Sequence, residues 1–221
     1  LLDIGFEVIK NPFSRKLNKK ELLELLPRIS GLIAGLETLD REVLEKSELR
    51  VISRCGAGMD NIDLKTAQNL GIKVYSTPDA PTLAVAELTV GSMLSLLRSI
   101  HQMDRELHNG KWSKRIGYQL NGKTVAIIGF GRIGRYVAKL LKAFEVKIVA
   151  VDSNVNPKDV VSDGVEIMPL DKALPLADIV TIHTTGDNEI LGKKEFRLMK
   201  KGVFVLNSAR GTVVNEPALI E

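Results

Sequence analysis

Apolar runs of four or five residues alternate with longer amphipathic stretches in two blocks, one before residue 81 and one after residue 124. In the first block, Leu1-Leu2-Asp3-Ile4-Gly5 reads as the last turn of a helix with Gly5 as its C-cap, followed by a strand over Phe6–Ile9 with no strand before it. Asn18 and Glu21 have capping-box spacing, which predicts a helix K-K-E-L-L-E-L-L that Pro27 closes off. Gly31–Gly35 predicts a short buried strand, Arg41–Lys46 a helix and Leu49–Ser53 a strand. Asp63 caps a helix that Gly71 ends, and Ile72–Tyr75 predicts the next strand. Strands alternating with helices of this length predict a parallel sheet covered on both faces.

Thr82 to about Leu107 predicts one long helical stretch, read as the bridge between two domains. A polar loop over 109–119 holds the single tryptophan, Trp112. The second block predicts strands at 124–128, 147–151, 179–183 and 203–207, with a helix at 133–143. The division expected is 1–81, a bridging helix at 82–107, and 108–221. The two blocks are compatible with distant copies of one fold, which the sequence alone does not establish.

The chemistry concentrates in V-A-I-I-G-F-G-R-I-G at 125–134, an apolar strand running into Gly129-x-Gly131-x-x-Gly134 and then a helix. Gly129 permits a tight turn, the bare Gly131 lets backbone approach a pyrophosphate, and Gly134 lets the helix pack on the strand. The helix N-terminus then offers free N–H groups and a positive dipole end to the anion. Asp152 follows the next strand, eighteen residues beyond Gly134, where a carboxylate meets adenosine ribose hydroxyls and disfavours the extra phosphate of NADP. The pattern predicts an NAD site. Methyltransferases that bind another adenosine cofactor share a glycine-rich first turn and a ribose-binding acid.

Composition narrows the classes. With 221 residues and 44% hydrophobic content the chain is globular, in one large or two modest domains. The net charge of +4 arises from basic residues dispersed among 27 acids with no run of like charge, so no nucleic-acid partner is predicted. Cys55 is the single cysteine, which excludes an internal disulfide and fits a cytoplasmic setting. His101, His108 and His183 lack metal-ligand spacing, so no metal site is predicted. No apolar run has membrane-spanning length, and the first residues lack the features of a signal peptide.

R-C-G-A-G-M-D-N-I-D-L at 54–64, G-F-G-R-I-G at 129–134 and L-N-S-A-R-G-T-V-V-N-E-P-A-L at 206–219 resemble the D-isomer-specific 2-hydroxyacid dehydrogenases, in their phosphoglycerate dehydrogenase branch. Thr77-Pro78 and A-E-L-T at 86–89 fall in the family's order between them. The resemblance implies two Rossmann-like, doubly wound parallel-sheet α/β domains, incomplete at the C-terminal end. It implies hydride transfer between nicotinamide C4 and C2 of a small 2-hydroxy or 2-oxo acid held in the interdomain cleft.

By that resemblance Arg210 holds the 2-oxo group and carboxylate, a role suited to a permanently charged, bidentate guanidinium. Gly56, Ala57 and Gly58 resemble the loop whose N–H groups receive the substrate carboxylate, and Arg54 matches an arginine that meets a substrate phosphate. Asp60 and Asn61 are read as structural residues that turn this loop. Arg132 and Ile133 fall at the pyrophosphate turn, Thr77 near the nicotinamide, and Thr184, Ser208 and Ala209 along the cofactor. His183 ends a strand in a segment where the family residue is structural. Thr185-Gly186 departs from the usual proline there.

The family's histidine–glutamate acid–base pair lies a few tens of residues beyond the arginine, whereas residue 221 is eleven past Arg210. Neither Glu216 nor Glu221 matches the glutamate's motif. The expectation is a weakly active or inactive fragment of a longer enzyme, since loss of a positioned proton donor costs about a hundred- to ten-thousandfold in rate. A homodimer is implied, through 82–107 and the Trp112 loop. An NAD-sensing interaction module, like the corepressors of the same fold, is the alternative function.

Overall fold

The computed structural model describes residues 2–156, 158 and 164–221. They divide into two compact units, one ending at Pro81 and the other beginning at Thr82.

The first unit holds three parallel strands in the order β1 (Gly31–Ala34), β2 (Val51–Arg54), β3 (Lys73–Ser76). Its helices are α1 (Lys19–Leu25), α2 (Arg41–Glu45) and α3 (Leu64–Asn69). Each begins where the sequence places a cap. The Glu21 N–H donates to Asn18 Oδ1 at 3.0 Å while the Asn18 N–H donates to Glu21 Oε2 at 2.8 Å. Asp40 and Asp63 cap α2 and α3 in the same way. Leu22, Leu26, Val43, Leu44 and Ala67 pack with Leu39, Ile52 and Ile62 in one core.

Two expectations fail in this unit. Among the described residues the sheet is covered on one face only: Ile33, Ser53 and Tyr75 lie side by side on the other, with Ile33 66% and Tyr75 57% exposed. A short apolar run does not say which of its faces finds a helix. Residues 6–9 form no strand either, because no neighbouring strand pairs with them; Leu2–Ile4 is a single 3-10 turn ended by Gly5 at φ +82°, and Leu1 lies outside the described residues.

The second unit contains five parallel strands, β4 (Thr124–Ile128), β5 (Lys147–Val151), β6 (Val165–Ile167), β7 (Ile179–Ile182) and β8 (Phe204–Asn207), in the order β6-β5-β4-β7-β8. The winding reverses between β4 and β7, which opens a crevice at the carboxyl ends of those strands. Its helices are α4 (Thr82–Leu97), α5 (Ile100–His108), α6 (Arg132–Leu141), α7 (Leu170–Ala173), α8 (Lys193–Leu198) and α9 (Glu216–Ile220). Val125, Ile127, Ile179 and Leu206 face α4 and α6, while Ala126, Ile128, Val180 and Ile182 face α7 and α8. This sheet is covered on both faces, as the apolar runs Val125–Ile128 and Ile148–Val151 predict.

The long helix expected over 82–107 is two helices, bent by 69° at Arg98–Ser99, where Ser99 takes the left-handed conformation at φ +53°. Nothing in its composition announces this break. Ala86, Val90, Met93 and Leu97 form the stripe that buries α4 against α6, so those apolar residues are core of this unit. No single helix among the described residues is long and apolar enough to cross a membrane.

Candidate active site

Three glycines shape the turn after β4, each for a different reason. Gly129 has φ +90°, and a Cβ there would lie 2.7–2.8 Å from backbone atoms of His183 and Thr184. The turn therefore sits against the end of β7, at the reversal point of the sheet. A Cβ on Gly134 would strike the carbonyl oxygen of Gly129, so a bare helix face lets α6 rest on the turn. Gly131, at φ −77°, needs neither concession: among the described residues nothing lies within 4 Å of where its Cβ would be. The fold leaves that space open, as a cradle for a ligand's phosphates requires. Gly131 also starts α6 without a side-chain cap, so no side chain competes with an anion for the first-turn N–H groups. Arg132 is exposed and Ile133 half-buried in that first turn.

Asp152 has a task that its position in the sequence does not reveal. Its Oδ2 accepts the Phe130 N–H at 2.8 Å and its Oδ1 accepts the Asn154 N–H at 2.8 Å. The carboxylate thus ties the glycine turn to the end of β5, and with one N–H partner on each oxygen among the described residues, each keeps a lone pair for a hydroxyl donor.

At the end of β7, His183 is buried, with Nε2 2.9 Å from Thr181 Oγ1. Burial pushes its pKa down to about 4, so the ring is neutral at pH 7. Among the described residues, His183 Nδ1 and Thr184 Oγ1 are buried without hydrogen-bond partners, immediately beside Gly129. Beyond β8, Ser208 Oγ lies 3.1 Å from Oγ1 of the buried Thr89 on α4. Asn207 then bends the chain: its Oδ1 accepts the Ala209 N–H at 2.9 Å, and its Nδ2 donates to the Arg210 carbonyl at 2.7 Å. Arg210 emerges exposed from that loop. Asn207 and Thr89 were not among the expected site residues; an Asn two residues before a loop N–H is the only signal of the former.

The remaining expected residues lie in the first unit: Arg54 ends β2, Gly56, Ala57 and Gly58 form the loop after it, and Thr77 follows β3. Arg54 is only 8% exposed, and its Nη1 donates to the Cys55 carbonyl. The guanidinium lies under Gly56, whose φ is +135° and whose Cβ would fall 2.7 Å from Nη1. Arg54 Nε has no partner among the described residues. The Gly56 N–H donates to Thr77 Oγ1 at 2.8 Å and the Thr77 N–H returns a bond to the Gly56 carbonyl at 3.1 Å. Among the described residues the N–H groups of Ala57 and Gly58 are not engaged. Asn61 secures the far side of the loop by donating from Nδ2 to the Glu37 carbonyl at 2.6 Å. The expected residues therefore gather in two groups, each at the carboxyl ends of its own unit's strands.

Gly134→Ala is expected to lower stability by about 1–3 kcal/mol in urea melts, because α6 must shift off the turn. Gly131→Ala is expected to leave the urea midpoint nearly unchanged and to weaken dinucleotide binding instead. The His183 shift carries a second expectation. Its folded pKa lies below the unfolded value near 6.5, so the unfolded chain binds more protons between those values. Stability is complete above about pH 6.5 and declines as pH falls toward 4, by about 2 kcal/mol at pH 5. Urea midpoints at pH 7.5 and pH 5 test this; an unchanged slope in His183→Asn would assign the pH dependence to other groups.

A family model described as the NAD-binding domain of D-isomer-specific 2-hydroxyacid dehydrogenases matches residues 90–221. The chain is 39% identical to a D-3-phosphoglycerate dehydrogenase of Rattus norvegicus, over its whole length and 42% of the relative's. It therefore spans less than half of that relative. It is 38% identical to a hydroxypyruvate reductase of Thermotoga maritima, covering 94% of this chain and 69% of the other. A structure of D-lactate dehydrogenase from Aquifex aeolicus in complex with NAD and lactic acid superposes with a TM-score of 0.79 at 29% identity, over 89% of this chain and 61% of that one. The glycine turn, the carboxylate at the end of β5 and these matches lead to one assignment: the chain belongs to the D-isomer-specific 2-hydroxyacid dehydrogenase family.

Proposed function

We propose that this chain carries the NAD site and part of the substrate site of a cytoplasmic, phosphoglycerate-dehydrogenase-like enzyme that interconverts a D-2-hydroxy acid and its 2-oxo acid. The observation that carries the reading is the open space over Gly131 at an uncapped helix N-terminus, in a turn whose other two glycines are dictated by packing. The first-turn N–H groups of α6 would hold the pyrophosphate, with Arg132 and Ile133 flanking it, and Asp152 would accept from the adenosine ribose hydroxyls. Thr184, Ser208 and Ala209 would line the rest of the cofactor, the unpartnered Thr184 hydroxyl being one donor in need of an acceptor. Bound NAD supplies the hydride acceptor at the nicotinamide.

On the second unit Arg210 would orient a 2-oxo acid and polarise its carbonyl, and on the first unit the N–H groups of Ala57 and Gly58 would receive a carboxylate. Arg54, buried with an unpartnered Nε, would favour a substrate with a second acidic group such as a phosphate. His183 is not assigned to proton transfer, since its Nε2 is engaged by Thr181 and the ring is held neutral.

Fluorescence titration with NADH and NADPH tests the cofactor site. The chain is expected to prefer NADH, and Asp152→Ala to weaken NADH about 10- to 100-fold through loss of charged hydrogen bonds. The variant's ligand-free melting temperature should fall too, because the clasp on Phe130 is lost. Unchanged NADH affinity would remove Asp152 from the ribose.

A homodimer is proposed from the second unit's own surface. α5 buries none of its side chains, and Trp112 and Ile116 in the following loop are 86% and 93% exposed. Sedimentation is expected to give a dimer at micromolar concentration that Ile116→Asp converts to monomer; a monomeric unmodified protein would refute it.

A further inference from the structure

We propose that Thr77 is the positioning residue of the carboxylate-receiving loop, acting through Gly56; this rests on the proposed role of the Ala57 and Gly58 N–H groups. β2 and β3 are parallel neighbours with Arg54 opposite Ser76, so the residues just beyond the two strand ends meet. Thr77 is the first residue after β3, and Pro78 behind it restricts its backbone to extended conformations. A stiff residue is thereby set beside a flexible one. Gly56, at φ +135°, is in a region that only glycine enters at low cost, and it needs outside contacts to stay in one conformation. Thr77 supplies two. Its hydroxyl accepts the Gly56 N–H at 2.8 Å and its own N–H donates to the Gly56 carbonyl at 3.1 Å.

Two consequences follow for the substrate. The Gly56 N–H is occupied, so of the three small residues on this loop only Ala57 and Gly58 can donate to a carboxylate, and their direction is fixed by the peptide before them. Gly56 also lies directly over the Arg54 guanidinium, within 2.7 Å of Nη1 at its would-be Cβ. One hydroxyl on β3's end therefore sets both the N–H donors and the cation beneath them. Thr77 thereby touches the proposed substrate loop, a role separate from the one near the nicotinamide that the family resemblance implies.

Thr77→Val keeps the shape, the β-branching and the backbone N–H and removes only the hydroxyl, which accepts the Gly56 N–H at 2.8 Å and donates to the Arg54 carbonyl at 3.5 Å; Thr77→Ser keeps that hydroxyl. The intact chain, followed by amide NMR and hydrogen exchange, is titrated with D-3-phosphoglycerate and separately with NADH. In the unmodified protein, phosphoglycerate is expected to shift the Ala57 and Gly58 amides. In Thr77→Val the Gly56 amide should exchange about tenfold faster and phosphoglycerate should bind about 5- to 20-fold more weakly, the effect of one lost hydrogen bond. NADH affinity should change less than twofold, and Thr77→Ser should restore both readouts. A merely structural threonine would move neither affinity selectively. Thr77→Ala serves the same comparison if valine unfolds the first sheet, whose own amides report its integrity. Phosphoglycerate affinity unchanged in the variant, or NADH affinity lost in its place, overturns the proposal. Phosphoglycerate that shifts neither Ala57 nor Gly58 in the unmodified protein overturns the carboxylate reading of the loop, and the positioning role with it.

Discussion

The contact between the bare face of Gly134 and the carbonyl of Gly129 governs the second unit. It lets α6 begin directly on the turn that leaves β4, so the helix N-terminus and the end of the strand point into the same crevice. Any side chain at 134 would lift the helix and rotate its dipole away from that space. Gly129 adds the second constraint by touching the backbone of His183 and Thr184, which fixes the turn against β7. Each glycine costs roughly 0.5–1 kcal/mol in chain entropy relative to alanine. The buried Val125, Ile127, Val137 and Leu141 around them each contribute about 1.5–3 kcal/mol through burial, so the core supports a turn that is locally unfavourable.

The two units were legible in the sequence to different degrees, for physical reasons. β4 and β5 end where their apolar runs do and begin one residue before them, because the interior of a strand covered on both faces is mostly apolar. Asn18 and Asp63 announce helix starts because capping is a contact within four residues. The break at Ser99, the three-residue β6 and the bare face of the first sheet were not readable, since each depends on what packs from elsewhere in the chain. The candidate site divides in the same way. Its glycines are set by local geometry and were found, while the engagements of Asp152 with Phe130 and of Thr77 with Gly56 cross from one strand end to another.

Those cross-strand engagements share a logic. In each, an oxygen just past the end of one strand takes a single N–H from the loop after the neighbouring strand: Asp152 beyond β5 holds Phe130 beyond β4, and Thr77 beyond β3 holds Gly56 beyond β2. Asn207 does the same within its own loop, through the Ala209 N–H. One donor is occupied so that the donors beside it are aimed. Ordering a loop residue at the moment of binding costs about 1–2 kcal/mol in backbone entropy. A loop already tied by its neighbour avoids that cost and presents its N–H groups at fixed angles.

The chemical identity of each tie matches the ligand group proposed beside it. Asp152 is an anion, which suits a site where ribose hydroxyls arrive as donors and where an additional phosphate is to be rejected. Thr77 is neutral, and the loop it holds is proposed to receive a carboxylate. An aspartate at 77 could accept the Gly56 N–H equally well, but it would bring a like charge to within ~5 Å of the incoming anion, a repulsion of about 3 kcal/mol at a surface-like dielectric. It would also draw the Arg54 guanidinium into an ion pair and away from the substrate. A hydroxyl fixes the loop without altering its charge, and that leaves Arg54 to set the sign of the site.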